Sequence, residues 1–145
     1  MANSYIYATI RAVLLNYNDI TDIVGDRIYG ITRPQALPYM PFIAITKVGQ
    51  TPNNTKYHNS TVDNVMVQIA VVGNYDQIIL VADVVRDALD NYIGTPNNDY
   101  PYIQESVFQN QADTAELDYM KADTLVFYGV QTITQTYMMR MATGY

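Results

Sequence analysis

The sequence predicts an α+β fold, a mostly antiparallel β-sheet of about five strands with two helices packed on one face. Two segments carry apolar residues at helical spacing, and about five others alternate apolar and polar residues or are rich in β-formers. The links between the strands are short or hairpin-like, except for the one that carries the second helix. The 145 residues contain no repeat and no interdomain linker, which indicates one domain over residues 1–145.

The first helix begins near Asn3 or Ser4, either of which can cap it. It ends at Asn16 and Asn18, and a short further helical turn over residues 20–24 stops at Gly25. One face of the first helix is apolar at a spacing of three and four residues. That face consists of Ile6, Ile10, Val13, Leu14 and Tyr17.

Three strands are predicted before the second helix, at residues 27–31, 42–48 and 61–72. Three prolines between residues 32 and 41 favour an extended loop there, because proline and the residue before it resist helix. A polar loop is predicted at residues 49–59. The third strand has apolar odd positions and mixed even positions, which is typical of a sheet with one buried face.

The second helix has the clearest periodicity in the chain. Asn74 and Gln77 fit a capping box at its start, and Gly94 lies just beyond its end. Leu80 and Val84 fall outside the apolar stripe, so they either pack within the chain or contact a neighbouring subunit. The stripe consists of Ile78, Val81, Ala82, Val85, Leu89 and Tyr92.

The last third is predicted as a strand at 102–109, a polar connection at 110–118 and a long β segment at 120–136. Residues 137–145 are rich in Met and Tyr, and we expect them to form a C-terminal contact segment that packs either within the chain or against a neighbouring subunit. The residues predicted for subunit contacts are Leu80, Val84, Tyr137, Met138, Met139 and Met141.

Composition excludes several kinds of chemistry. There is no Cys, which rules out thiol nucleophiles, disulfides and thiolate-bound metals, and His58 is the one histidine. Asp and Glu outnumber Lys and Arg by 14 to 8, a net charge of −6, which argues against generic nucleic-acid binding. We therefore expect a protein that is not an enzyme and holds no metal or cofactor.

Two features that could suggest a catalytic or metal site, a group of aspartates and the single histidine, have simpler explanations. Asp83, Asp87 and Asp90 lie on one helix face with Arg86 available for ion pairs, which is typical of a solvated surface. His58 in a polar loop completes no triad. The chain also has no run of about 20 apolar residues, so we expect no membrane span.

The order of several short motifs resembles a known family. IVGDRIY at residues 23–29 follows a helix, LPY at 37–39 leads into a strand, and a later capped helix ends in Leu-Asp at 89–90. This order is similar to that of the tail-completion proteins of long-tailed bacteriophages, the tail-terminator or tail-to-head joining family. The resemblance spans about residues 5–93, and beyond it only the order of the strands matches. Its architectural positions are Gly25, Arg27, Ile28, Pro38 and Tyr39.

The resemblance implies a structural virion protein that forms a ring, expected to be a hexamer, at the head–tail junction. Such a ring terminates the tail tube and joins the tail to the head connector. The implied partners are other copies of the chain, the tail tube protein and a head connector or head-completion protein, after synthesis in the host bacterial cytoplasm. DNA would pass through the lumen without specific binding. Six chains at −6 would carry about −36, and an acidic lining would repel phosphate.

Two polar stretches are predicted to contact the tail or the neck. Other readings stay open: another neck protein such as a head-completion or connector-adaptor subunit, a regulatory or other non-phage protein-binding module, or a small-molecule enzyme with a polar pocket. The predicted contact residues are Gln50, Asn53, Asn54, Lys56, Tyr57, Gln111, Asp113 and Glu116.

Overall fold

The computed structural model describes residues 2–30, 41–52, 62–96, 102–117 and 129–142. These residues form three helices and five strands, and the strands make one sheet. The helices are α1 (Ala2–Leu15), α2 (Asn18–Val24) and α3 (Tyr75–Leu89); the strands are β1 (Ile28–Tyr29), β2 (Phe42–Pro52), β3 (Val62–Gly73), β4 (Ile103–Leu117) and β5 (Gly129–Ala142).

The sheet has the strand order β1-β2-β3-β5-β4. β1 runs parallel to β2, and the other three pairings are antiparallel. This confirms the predicted α+β class and the mostly antiparallel sheet. The difference is in the helix count, because the short turn expected after the first helix is a separate helix, α2.

One hydrophobic core lies between the sheet and the three helices. β3 shows the expected alternation, with its odd positions buried and its even positions half-buried. The apolar face predicted for the first helix is confirmed at its four buried positions, and Tyr17 lies beyond the helix end and is exposed. The buried residues of β3 and of α1 are Val65, Val67, Ile69 and Val71, and Ile6, Ile10, Val13 and Leu14.

The second half of the sheet differs from the prediction. Residues 110–117, expected to be a polar connection, continue β4. β4 is an edge strand, and an edge position tolerates polar side chains that an inner strand could not bury. β5 runs to Ala142, so residues 137–142 are strand rather than a terminal contact segment. Residues 143–145, and 118–128 between the two strands, lie outside the described part of the chain.

The turn between α2 and β1 is stabilised by Arg27, whose side chain binds backbone oxygens. Gly25 ends α2 with a φ of 60°, a left-handed conformation that glycine adopts without strain. The guanidinium of Arg27 donates to the carbonyl oxygens of Pro41 (3.0 Å) and Ile23 (3.1 Å). It therefore joins α2 to the start of β2. Ile28 is buried, whereas Pro38 and Tyr39 lie outside the described residues.

Candidate interaction surfaces

The Met-rich residues predicted for subunit contacts are mostly inside the single chain. Tyr137, Met139 and Met141 are fully buried in the core, because odd positions of β5 face the helices. Met138 faces the opposite side of the sheet and is half-buried. The apolar character of this segment thus follows from its place as an inner strand, and only Met138 of these four is left for an outer surface.

A buried network of polar side chains joins α3 to β5 and β4 through hydrogen bonds. The hydroxyl of Tyr137 donates to Oε1 of Gln135 at 2.6 Å. Nε2 of Gln135 in turn donates to the carbonyl oxygen of Ala82 (2.8 Å) and to Oε1 of Gln111 (3.0 Å). Burial raises the pKa of Tyr137 far above its usual value, and the nearby charge of Asp90 adds to the effect. The phenol therefore stays protonated and keeps donating.

α3 offers a small apolar patch. Leu80 is 58% exposed, whereas Val84 is half-buried and packs against the core. Of this predicted pair, Leu80 alone presents a large free surface.

The acidic face of α3 is largely solvated. Asp83 and Asp87 are exposed, and Asp90 accepts a hydrogen bond from the backbone N–H of Phe108 (3.1 Å). Arg86 lies 3.9 Å from the centre of the Phe108 ring, a cation–π contact that takes the place of the expected ion pairs. No group of three His, Cys, Asp or Glu side chains within the described ranges is arranged to hold a metal.

Three tyrosines that no sequence motif connects, Tyr17, Tyr92 and Tyr102, lie just after α1, just after α3 and just before β4, and we call them the aromatic cluster. Tyr17 and Tyr102 are both exposed, and both act electrostatically on the half-buried Tyr92. The pKa of Tyr92 is raised, chiefly by its own burial and then by these two phenols. Ile93 beside them is exposed as well. The high Tyr count was the one signal in the sequence, and it carries no information on position.

The sheet face turned away from the helices carries two adjacent rows without any charge. We call these eight residues the neutral face. Its members on β3 and β5 are half-buried and both members on β4 are exposed, whereas on β2 Thr46 is exposed and Ala44 is buried. Cross-strand register sets the rows as Thr46, Gln68, Thr136 and Asn110, and Ala44, Ala70, Thr134 and Ala112.

Within the described residues, no strand pairs with the outer edge of β2 over its second half. β1 pairs with only two residues, Ile43 and Ala44. The backbone N–H of Lys47 donates to the hydroxyl of Tyr7 at 3.1 Å. The next residue, Val48, is the extra residue of a bulge and is 52% exposed. We call residues 48–51 the β2 edge.

Gln50, a predicted contact residue, lies on the β2 edge. Its side chain accepts a hydrogen bond from Nζ of Lys47 (2.9 Å) and donates to a carboxylate oxygen of Asp63. The other residues predicted for this loop, Asn53, Asn54, Lys56 and Tyr57, lie outside the described part of the chain.

Among the described residues, contacts to the outer edge of β4 are found at its start. The turn that follows α3 binds the edge at three places, and these bonds end at Phe108. Residues 109–113 are all exposed, and the described residues supply no hydrogen bond to that part of the edge from outside the sheet. We call residues 109–117 the β4 edge. The covering bonds join Gly94 to Ile103, Asn91 to Ser106 and Asp90 to Phe108.

Three predicted contact residues belong to the β4 edge. The backbones of Gln111, Asp113 and Glu116 lie in the strand, and the side chains of Gln111 and Asp113 are exposed. Gln111 also takes part in the buried network, through the hydrogen bond from Gln135. The structure therefore brings Gln111 and Asp113 together on one edge and places Gln50 on the opposite one.

The chain shares its fold with a protein of a gene transfer agent virion. That solved structure is described as the virion of a native gene transfer agent particle. The two chains superpose with a TM-score of 0.65 at 15% sequence identity, over 94% of each chain. No family model matches the sequence, and no curated protein matches it.

The likeness to the gene transfer agent protein covers 94% of the chain. It includes the C-terminal third, where the motif resemblance to tail-completion proteins rested on strand order alone. At 15% identity the likeness establishes the fold. Among the described helices, none combines the length and the apolar character that crossing a bilayer requires.

Proposed function

We propose that this chain is a structural virion protein that forms a ring, expected to be a hexamer, at the head–tail junction of a phage-like particle. The ring terminates the tail tube on one side and meets the head connector on the other. The observation that carries this proposal is the fold shared with a virion protein over 94% of both chains. The ordered motifs at residues 23–29, 37–39 and 89–90 support the narrower assignment to tail completion.

The available surfaces suit a protein whose partners are other proteins. The neutral face and the aromatic cluster offer uncharged and Tyr-rich contact area, which is favoured at protein interfaces. In this proposal the chain performs no catalysis and binds no cofactor. DNA passes through the ring without specific contacts, helped by the acidic balance of the subunits.

Imaging the purified protein with and without tail tubes tests the proposal. We expect rings by negative stain, and tubes that are capped at one end after mixing. Rings that bind isolated heads but leave tubes uncapped would favour the alternative, a head-completion or connector-adaptor subunit. A protein that forms neither rings nor caps would contradict both assignments and favour a protein-binding module outside the virion.

A further inference from the structure

The two open sheet edges have complementary directions. β2 and β4 run in opposite directions, because three antiparallel pairings separate them. Rotation about a ring axis to which the strands are tilted by about 45° or less keeps each strand pointing towards the same end of the ring. The β4 edge of one copy and the β2 edge of the next copy would therefore lie antiparallel, the arrangement with the more favourable hydrogen bonds.

The open parts of the two edges lie at different heights along the sheet. The ladder places Gln50 level with Val65 of β3, and Asp113 level with Val71. Six residues of β3 separate those levels, a shift of about 20 Å at ~3.3 Å per residue.

That shift matches the geometry of a closed ring. From β4 of one copy to β4 of the next there are four strand spacings, β4 to β2, β2 to β3, β3 to β5 and β5 to β4, or about 19 Å. A 20 Å shift over this width corresponds to a strand tilt of about 45°. Closed sheets need a tilt of roughly 35–45°, so the open edges meet at the tilt that closure requires.

The side chains on the two edges also lie on the same face of the sheet and carry opposite charges. Gln50 and Asp113 pair across the ladder with the buried Val65 and Ile133, so both lie on the helix-covered face of the sheet. Lys47 lies on that face too and binds Gln50, which holds a positive charge beside the β2 edge. Asp113 offers a negative charge from the other side.

We infer that subunits of the ring join edge to edge, with residues 109–117 of one copy adding to residues 48–51 of the next, so that the sheets continue around the ring. The inference rests on the proposed ring. The contact is head-to-tail, because two different edges of the chain meet, and a head-to-tail contact gives a ring when its rotation closes and a filament when it does not.

Cross-linking between introduced cysteines tests the pairing. The chain has no Cys, so every cross-link in the double variant Gln50→Cys/Asp113→Cys comes from the two new thiols. With a short bismaleimide, the assembled double variant should give a covalent ladder up to the full number of subunits. Each single variant should form rings but give no covalent cross-link, so that it runs as a monomer on a denaturing gel. The control pair, Gln50→Cys with Asp83→Cys on exposed α3, should give no ladder.

Two cross-linking results would overturn the pairing. Dimers from Asp113→Cys alone would show two β4 edges meeting about a twofold axis. Intact rings of the double variant without any ladder would show that the subunits join elsewhere. Rings remain in the second case, so it contradicts the pairing and leaves the proposed function standing.

A charge exchange provides a second, independent test. Asp113→Lys should raise the protein concentration needed for half-assembly about tenfold, because it places like charges at every contact in the ring. Lys47→Asp combined with Asp113→Lys should restore assembly. The matched control, Asp83→Lys, makes the same change of charge on α3 and should assemble like the wild type.

Normal assembly of Asp113→Lys, or failure of the exchanged pair to rescue it while circular dichroism shows a folded protein, would contradict the edge pairing. Absence of rings from the wild-type chain, both alone and on tail tubes, would contradict the proposed function as well.

Discussion

The two faces of the β3–β5 pair follow the same alternation but have different surroundings. On the helix side, β3 and β5 present Val65, Val67, Ile69 and Tyr137, all fully buried. On the neutral face, one residue further along each strand, Gln68 and the threonines of β5 are half-buried.

The two faces of each strand therefore have different roles, one in folding stability and one in contacts with other proteins. The helix side supplies the free energy of folding through packed aliphatic side chains. The neutral face lacks charge and carries mostly Thr, Ala and amide side chains, so it contributes less to folding and is available for contacts with other proteins. Substitutions at neighbouring positions should therefore have unequal effects.

The largest contrast is expected between Ile69 and Gln68. Ile69→Ala removes a fully buried side chain and should lower the free energy of unfolding by about 3 kcal/mol, through lost transfer energy and the cavity that remains. Gln68→Ala on the neutral face should change it by less than about 0.5 kcal/mol. Urea denaturation of both variants measures the contrast, and equal losses would show that both faces are core.

The next effect concerns Gln135, a fully buried glutamine among the apolar residues of the helix side. Gln135→Leu leaves the Tyr137 hydroxyl and the Ala82 carbonyl without their partner, and should cost about 2 kcal/mol of unfolding free energy. Gln109→Leu on the exposed part of β4 is the matched control, with an expected change within about 0.5 kcal/mol. A neutral result for Gln135→Leu would mean that the network contributes nothing to stability.

A third effect depends on pH. The pKa of Tyr137 is raised in the folded chain by burial, so the folded state holds its proton more tightly than the unfolded state does. The stabilisation from this group is complete below pH 10, the ordinary value for tyrosine, and decreases as pH rises above it, by up to about 1.4 kcal/mol per pH unit.

Urea titrations between pH 8 and 11 should therefore show a steeper loss for the wild type than for Tyr137→Phe. Parallel curves would mean that Tyr137 titrates alike in the folded and unfolded chain.

The smallest expected effect is at the border between α3 and the sheet. Asp90→Ala removes the acceptor for the Phe108 N–H and should lower the free energy of unfolding by about 1 kcal/mol. Asp87→Ala, an exposed aspartate on the same helix, should stay within about 0.5 kcal/mol. A similar response of the two would show that the Asp90 hydrogen bond is not a stabilising contact.

Local periodicity was sufficient to predict α1, β3 and α3, because each buries one regular stripe against the core. It did not locate the end of β4, since an edge strand exposes polar residues that read as a loop, as at Gln111 and Asp113. It also did not show that Tyr137 and Met139, predicted as subunit contacts, are buried within the chain, because the position of β5 between β3 and β4 depends on pairing between distant segments.

The candidate surfaces were harder to predict for the same reason. Which strand edges are open depends on the order of strands in the sheet, which a single strand's residues do not encode. Gln50 and Asp113 were selected as polar residues in loops, and their positions on opposite edges follow from the topology. The members of the aromatic cluster come from three separate links between elements, and no local pattern relates Tyr17 to Tyr102.

The position of β5 has a consequence for how the chain acquires its structure. Synthesis proceeds from the N-terminus, so β4 leaves the ribosome before β5, yet among the described strands β4 pairs with β5 alone. Until β5 emerges, β3 and β4 each expose the edge that pairs with β5 in the folded chain. Sheets built from such distant pairings form slowly and expose unpaired edges meanwhile. We expect that nascent chains halted before residue 129 would be aggregation-prone, whereas chains carrying the whole of β5 would fold in one cooperative step.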